Sequence, residues 1–536
     1  MYMAKGGSLS LNAKKGKVRE ALRNPIDVLN SLKSKACNGN YCYERLYRNL
    51  YNEGFYLLAY QNIYASGGLM TAYTDGKTIK GMGVDRIQKL MESMKNHSYQ
   101  PVPVRRNYID KKGGRRYLPG NPSLDDKMVQ EIVRLILESI YEPVFSDASH
   151  GFRPNRSCHT ALLQMQSTFT GVKWFIKGDG RDFFKKIDHA VLITILRRRI
   201  HDEYFIALIW KFLKAGYVED WTFHKTYSGT AQGTLIGPIL SSIYLNELDR
   251  FMESYMQEEQ KMLYDPIQGN QEGSLKSHYH EQRDGGYRSL LYVRYANEWL
   301  CGVIGSKRDA EEIRADIGRF LEETLRLELS EGKALITNAH DKVHFLNYEI
   351  VVPDDERLRR NGNAYMGLAR SGRVKLYVPR GKWQKRLIDY KALEIKYRDG
   401  KEIFNPVHRS YFINKDDLEI VRQYNAEVRG LYNYYRIADN VSVLGHFNYV
   451  MKFSMFKTFG AKYKLHISEV RKKYGYKHFG VKYRTKQGEK ILYYYEDGFK
   501  NVKKGMAKPE IDLVPKREAF ALCVQCQERL HAEESD

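Results

Sequence analysis

The stretch "LYVRYANEWLCGVIGS", residues 291–306, sets the strongest constraint on how this chain folds. Two apolar runs are joined by Ala296-Asn297-Glu298, which predicts a β-hairpin buried on both arms with polar residues at its tip. An ordinary turn accounts for Asn297, because Asn tolerates left-handed backbone geometry and bonds its neighbours. A carboxylate at Glu298 asks for a further reason, supplied only if other residues need that tip.

The rest of the chain provides candidates. It has 536 residues, 43% apolar, enough for several domains with real cores. A formal charge of +23 from 87 Lys and Arg, with 41 Tyr, points to a polyanion, nucleic acid first. Cations neutralise phosphates, and aromatic faces stack on unpaired bases. The cysteines Cys37, Cys42, Cys158, Cys301, Cys523 and Cys526 are too sparse for a disulfide framework, and only the last two have metal-ligand spacing. No signal-peptide core and no run of eighteen apolar residues is evident, so the expectation is a soluble cytoplasmic protein without membrane contact.

Residues 1–45 read as a basic N-terminal arm. "YERLYRNLYNEGFYLLAYQNIY" and "DDKMVQEIVRLILESIYEPVF" are helical by spacing, the second ending at Glu142-Pro143. Between them lies a basic hairpin around Gly113-Gly114. "GVKWFIKGDGRDFFKKIDHAVLITILRRRI" passes from strand to helix with Asp179 near the strand's end. "YSGTAQGTLIGPILSSIYLNELDRFMESYM" is a Gly-rich loop opening a long helix, and about 251–288 is a polar insertion. The opening hairpin, an amphipathic helix and further strands follow, giving an α+β sheet of the split βαβ kind. Residues 412–464 are helical, with Ile420, Tyr424, Val428, Leu431 and Tyr435 as a core stripe.

With Asp179 on a strand, Gln232-Gly233 at a helix start and an acidic hairpin tip, the chain resembles the bacterial group II intron-encoded reverse transcriptases and maturases. "SHGFRPNRSCHTAL", "TYSGTAQGTLIGPILSSIYLNELD" and "YNAEVRGLYNYYRIADN" carry the resemblance over residues 45–512. It implies a right-hand polymerase of fingers and palm at 46–360. An α-helical thumb and maturase domain would follow at 361–465, then a basic DNA-binding-like segment at 466–512. Such polymerases join nucleotides with two Mg²⁺ ions held by carboxylates.

The family's strand reads Asp-Ile-Lys-Gly-Phe-Phe-Asp and its tip Tyr-Ala-Asp-Asp; here they read "DGRDFFK" and "YANE". Asp179 therefore matches a metal ligand, Asn297 replaces the expected aspartate, and Glu298 keeps a charge one methylene longer, leaving at best a weak Mg²⁺ site. Phe184 matches the aromatic residue that excludes a ribonucleotide 2′-hydroxyl, Gln232 and Gly233 the family Pro-Gln-Gly-Gly, and Lys333 a lysine near the nucleotide phosphates. Tyr117 stands where an arginine grips the triphosphate. Lys185, Ala231, Thr234 and Asn347 depart from the pattern as well.

The resemblance further implies RNA contacts by Arg153, Arg429, Arg436, Lys457 and Lys462. Cys523, Cys526 and His531 resemble the end of an HNH endonuclease whose first cysteine pair and catalytic histidines are absent, so 513–536 reads as a remnant with an empty zinc site. Three functions fit: a maturase that binds intron RNA and assists splicing with polymerisation lost or impaired, an active RNA-directed DNA polymerase supporting retrohoming onto a DNA target, or a non-functional remnant of a mobile element. Mg²⁺ is the cofactor only if the polymerase works.

Overall fold

The computed structural model describes residues 23–65, 83–105, 107–111, 114–118, 122–179, 186–219, 222–229, 234–264, 288–329, 335–353, 359–360, 366–367, 372–475, 478–485 and 488–502. The chain divides into a first unit, residues 1–144 and 189–240, and a second, residues 145–188 and 241–536.

In chain order, the first unit begins with α1 (Pro25–Lys35), α2 (Glu53–Ala65), α3 (Val84–Lys95), β1 (Val104–Arg105), β2 (Asn107–Lys111), β3 (Gly114–Leu118) and α4 (Leu124–Tyr141). The second unit enters with α5 (Cys158–Thr168) and β4 (Trp174–Asp179). The chain then returns to the first for α6 (His189–Arg197), α7 (Glu203–Lys214), β5 (Tyr217–Glu219) and β6 (Thr222–His224). The remaining elements are α8 (Gly237–Tyr264), β7 (Ser289–Tyr295), β8 (Glu298–Ile304), α9 (Lys307–Leu325), β9 (Leu335–Asn338), β10 (Val343–Phe345), β11 (Tyr348–Val351), β12 (Arg359–Arg360), β13 (Met366–Gly367), β14 (Lys375–Tyr377), α10 (Arg380–Asp389), β15 (Leu393–Arg398), β16 (Lys401–Pro406), α11 (Asp417–Tyr435), α12 (Leu444–Tyr463), α13 (Ile467–Tyr474), β17 (Gly480–Thr485) and β18 (Gly488–Tyr493).

The centre of the first unit is α4, which is buried over most of its surface, with Asp126, Gln130 and Glu131 buried among its apolar residues. Ser123 caps it by accepting from the Asp126 amide at 3.1 Å, satisfying a donor that the first helical turn leaves open. The basic hairpin forms as expected, β2 pairing with β3 and closing at Lys111 opposite Gly114.

In the second unit a four-stranded sheet runs in the order β7-β8-β4-β9, with β4 antiparallel to both neighbours. That is the strand order of a split βαβ unit, so the mixed α+β reading holds. β8 is buried on both faces and β7 at Leu290 and from Tyr292 to Arg294, as largely apolar runs require. Gly178 leaves room for Trp299 of the paired strand: a Cβ there would stand 2.0 Å from the indole. Helix α9 starts on a reciprocal cap, the Ser306 hydroxyl accepting from the Asp309 amide and the Asp309 carboxylate accepting from Ser306 N at 2.6 Å.

The helical stretch divides into α11 and α12. Ile420, Tyr424, Val428, Leu431 and Tyr435 all lie in the core between them and their neighbours. Residues 466–502 are packed on this pair rather than separate from it. Tyr494 is buried, and Asn425 of α11 donates to the Tyr493 carbonyl and accepts from the Tyr495 amide, both at 2.8 Å.

Candidate functional site

The hairpin tip is tighter than its sequence implied. Tyr295 and Glu298 are the last paired residues of β7 and β8, so the turn is Ala296-Asn297 alone and Glu298 belongs to the strand, 6% exposed. Ala296 takes φ +53°, in the left-handed region where a side chain costs about 1 kcal/mol. Arg294 holds it there: its Nη1 donates to the Ala296 carbonyl at 2.7 Å.

The rest of that guanidinium is engaged too. Nε and Nη2 donate to the two carboxylate oxygens of Asp249 at 2.7 and 2.5 Å, and Nη2 also donates to Ser149 Oγ at 2.7 Å. Both members of the pair are 0% exposed. Burial by itself would lower the pKa of Arg294, but the charge and hydrogen bonds of Asp249 hold it above its ordinary value. The Tyr292 hydroxyl donates to Asp249 at 2.9 Å; burial, then the Asp249 charge, pushes its pKa well up.

Beneath the tip runs "SHGFRPNRS". Arg294 N donates to the Ala148 carbonyl and His150 N to the Arg294 carbonyl, so this loop lies alongside β7. A Cβ at Gly151 would stand 2.1 Å from Ala296 N, so only glycine fits under the turn. Arg153 closes the loop by donating to the carbonyls of Ser146 and Ser149 at 2.6 and 2.8 Å. Arg153 was expected to contact RNA. It is instead 8% exposed and serves as an internal brace.

The backbone brings the tip to Asp179. The last residue of β4, it pairs in register with Glu298 on β8, so two of the three expected metal-site positions are directly opposed, and Asn297 precedes Glu298 in sequence. Chemically the set falls short. Two hard divalent ions call for several charged oxygens, and an amide at 297 brings a dipole where a charge is needed. The donors do not fit a two-ion site.

Tyr117 lies on β3 in the first unit, opposite Tyr108. Phe184, Lys185, Ala231, Gln232, Gly233, Lys333, Cys523, Cys526 and His531 fall outside the described residues. Two of the lysines expected to face phosphate are engaged within the protein. Lys457 donates to the Pro406 carbonyl at 2.7 Å, and Lys462 to the Lys415 carbonyl and the Asp417 carboxylate at 2.6 and 2.7 Å. Arg429 is exposed and Arg436 half-buried. Sequence reasoning missed Arg294, Asp249, Ser149 and Gly151. The signal was present in Arg294, a single charge inside an apolar strand, which must find a buried partner.

Two histidines of this unit give it acid sensitivity. His150 lies between the Thr160 hydroxyl and the Gln164 side-chain carbonyl, and His159 donates to the Tyr434 carbonyl at 2.6 Å. Burial lowers both to about 4 from an ordinary 6.5; nearby arginines add repulsion, and the hydrogen bonds only partly oppose it. Above pH 6.5 both states are neutral and nothing changes. Between 6.5 and 4 only the unfolded chain takes the proton, so stability falls as pH falls, by about 2 kcal/mol per histidine at pH 5. Urea midpoints at pH 7 and pH 5 should show this loss, and His159→Gln should flatten the dependence.

Comparison with known proteins places the chain. The family "Reverse transcriptase (RNA-dependent DNA polymerase)" matches residues 109–350, so the sheet carrying the hairpin belongs to a polymerase fold. "Type II intron maturase" matches residues 372–513. The group II intron-encoded protein LtrA of Lactococcus lactis subsp. cremoris is 38% identical over 84% of this chain and 80% of its own length. The chain therefore belongs to the group II intron reverse transcriptase and maturase family. An uncharacterized 91 kDa protein in the cob intron of Schizosaccharomyces pombe is 33% identical over 84% of the chain and 59% of its own length. Nuclear intron maturase 1, mitochondrial, of Arabidopsis thaliana is 23% identical over 64% and 57%. Among the described residues no helix is long and apolar enough to cross a membrane.

Proposed function

We propose that this protein acts as a maturase: it binds the RNA of a group II intron and helps it fold and splice, while its polymerase centre is lost or strongly impaired. The observation that carries this is the contrast within the second unit. The tip is held by a complete buried brace, yet the residue it presents at 297 is an amide. The maturase match, residues 372–513, takes in the packed helices and the hairpin, whose core is continuous. Folding help needs no protein carboxylate, since the splicing chemistry belongs to the RNA. The right-hand arrangement of fingers, palm and thumb is part of this reading, whereas Mg²⁺ as a polymerase cofactor belongs to the rival one below.

Intron transcript incubated at limiting Mg²⁺ should splice faster with the protein than without it. On an annealed RNA template and DNA primer, no extension is expected with Mg²⁺ or Mn²⁺. Robust extension would favour the rival reading, a working polymerase using Asp179 and Glu298, for which their opposed register speaks. No effect on splicing and no extension would leave the remnant reading.

A further inference from the structure

Among the basic residues of the maturase part, two sets differ in how they are held. Lys452 is paired with Glu496, Lys457 with backbone and Asn405, and Lys462 with Asp417. Arg422, Arg429 and Arg436 have no carboxylate partner among the described residues. All three lie on α11 or its C-terminal cap, at i, i+7 and i+14. With Ala426 and Asn433 between them, they occupy one narrow stripe, roughly 80° of the helix circumference at 100° per residue. Arg422, Ala426, Arg429 and Asn433 are exposed, and Arg436 is half-buried at the helix end. Successive arginines are roughly 10 Å apart along the axis.

Two of them are held in place from the neighbouring hairpin. The Arg422 Cζ lies 5.9 Å from the Tyr483 ring centroid, and the Arg429 Cζ 5.4 Å from that of Tyr495. The tyrosines are fixed in turn, because the hairpin is tied to the same helix through Asn425 and through Tyr432, whose hydroxyl donates to the Lys500 carbonyl at 2.8 Å. A guanidinium lying over an aromatic ring still has N–H groups for a phosphate, and holding it beforehand reduces the rotamer entropy lost on binding. Ala426, small and exposed between two of the arginines, lets a backbone approach the helix closely.

From this we infer that the α11 stripe of Arg422, Arg429 and Arg436, with Tyr483 and Tyr495 as supports, is a binding site for the sugar-phosphate backbone of structured RNA. The inference rests on the maturase reading and says which surface carries it. It also gives residues 478–495 a part in RNA binding, where the sequence had suggested a DNA-binding segment. The stripe reads charge and spacing; sequence readout is left to other surfaces.

The test is the salt dependence of binding to a folded group II intron transcript, with a DNA duplex of equal length as comparator and circular dichroism as a folding control. Arg422→Gln and Arg429→Gln should each reduce the slope of log K against log salt by roughly 0.7–0.9 and weaken binding several-fold. Tyr483→Leu should weaken binding with the slope unchanged, because the charge stays while its support is lost. Lys457→Gln, whose ammonium is engaged internally, should leave the slope as it is. Folded arginine variants that keep the wild-type slope would overturn the stripe while leaving the maturase reading standing, as would a loss confined to the DNA duplex. Salt-insensitive binding by the wild type would overturn both.

Discussion

Asn297→Asp is expected to raise primer extension in Mg²⁺ by about 10²-fold or more over the wild-type protein, the scale on which removal of one preorganised electrostatic group slows other enzymes. The gain is expected from a single residue because the backbone there needs no rebuilding. The Ala296 carbonyl is already held by Arg294, Glu298 is already in register with Asp179, and Gly151 already lets the loop pass beneath the turn. A carboxylate at 297 adds the missing charge at a prepared position. The check is gel-resolved extension on an RNA template, with Asp179→Asn in the same background expected to abolish the gain. Wild-type protein that already extends well would remove the premise. A folded Asn297→Asp variant without gain would shift the defect to Tyr117, and Tyr117→Arg would then be added.

The second large effect concerns the brace itself. Asp249→Ala leaves the Arg294 guanidinium buried without its counter-ion, and the expected cost is about 3–5 kcal/mol of stability in urea unfolding. Most of that cost comes from stranding a charge, so the double replacement Arg294→Met with Asp249→Leu should recover most of the stability. It should not recover the tip. Without Nη1 on the Ala296 carbonyl, nothing compensates a left-handed alanine, and the gain from Asn297→Asp should disappear in the doubly substituted protein. Stability and tip geometry are thereby separated, because one depends on charge balance and the other on one hydrogen bond. If the double variant keeps the full gain, the brace is not what positions the tip.

Much of the fold was legible in local pattern. The hairpin at 289–304, the strand ending at Asp179 and the core stripe of α11 all follow from periodicity and apolar runs, and all three are found where the sequence puts them. The tip was misread by one residue. Glu298 reads as turn in a linear pattern because it is charged, but pairing with Tyr295 places it in the strand and buries it. The phosphate-facing residues were harder still. Arg153, Lys457 and Lys462 look like free cations in sequence, and their partners lie at carbonyls that no side-chain pattern reveals.

The sequence alone determined the kind of molecule: a basic α+β chain whose motifs match the intron reverse transcriptases, with an amide where that family has an aspartate. Both are facts of residue identity, and no folding is needed to read them. Only the tertiary structure decided which charges are available and which are internal. A guanidinium or ammonium finds its partner through space, at Asp249 forty-five residues from Arg294, or at the Pro406 carbonyl fifty-one residues from Lys457. Long-range pairing of this kind leaves no periodic trace in the chain. Burial then limits the role: the same positive charge is a brace at Arg294, where water is excluded, and stays open to solvent at Arg429.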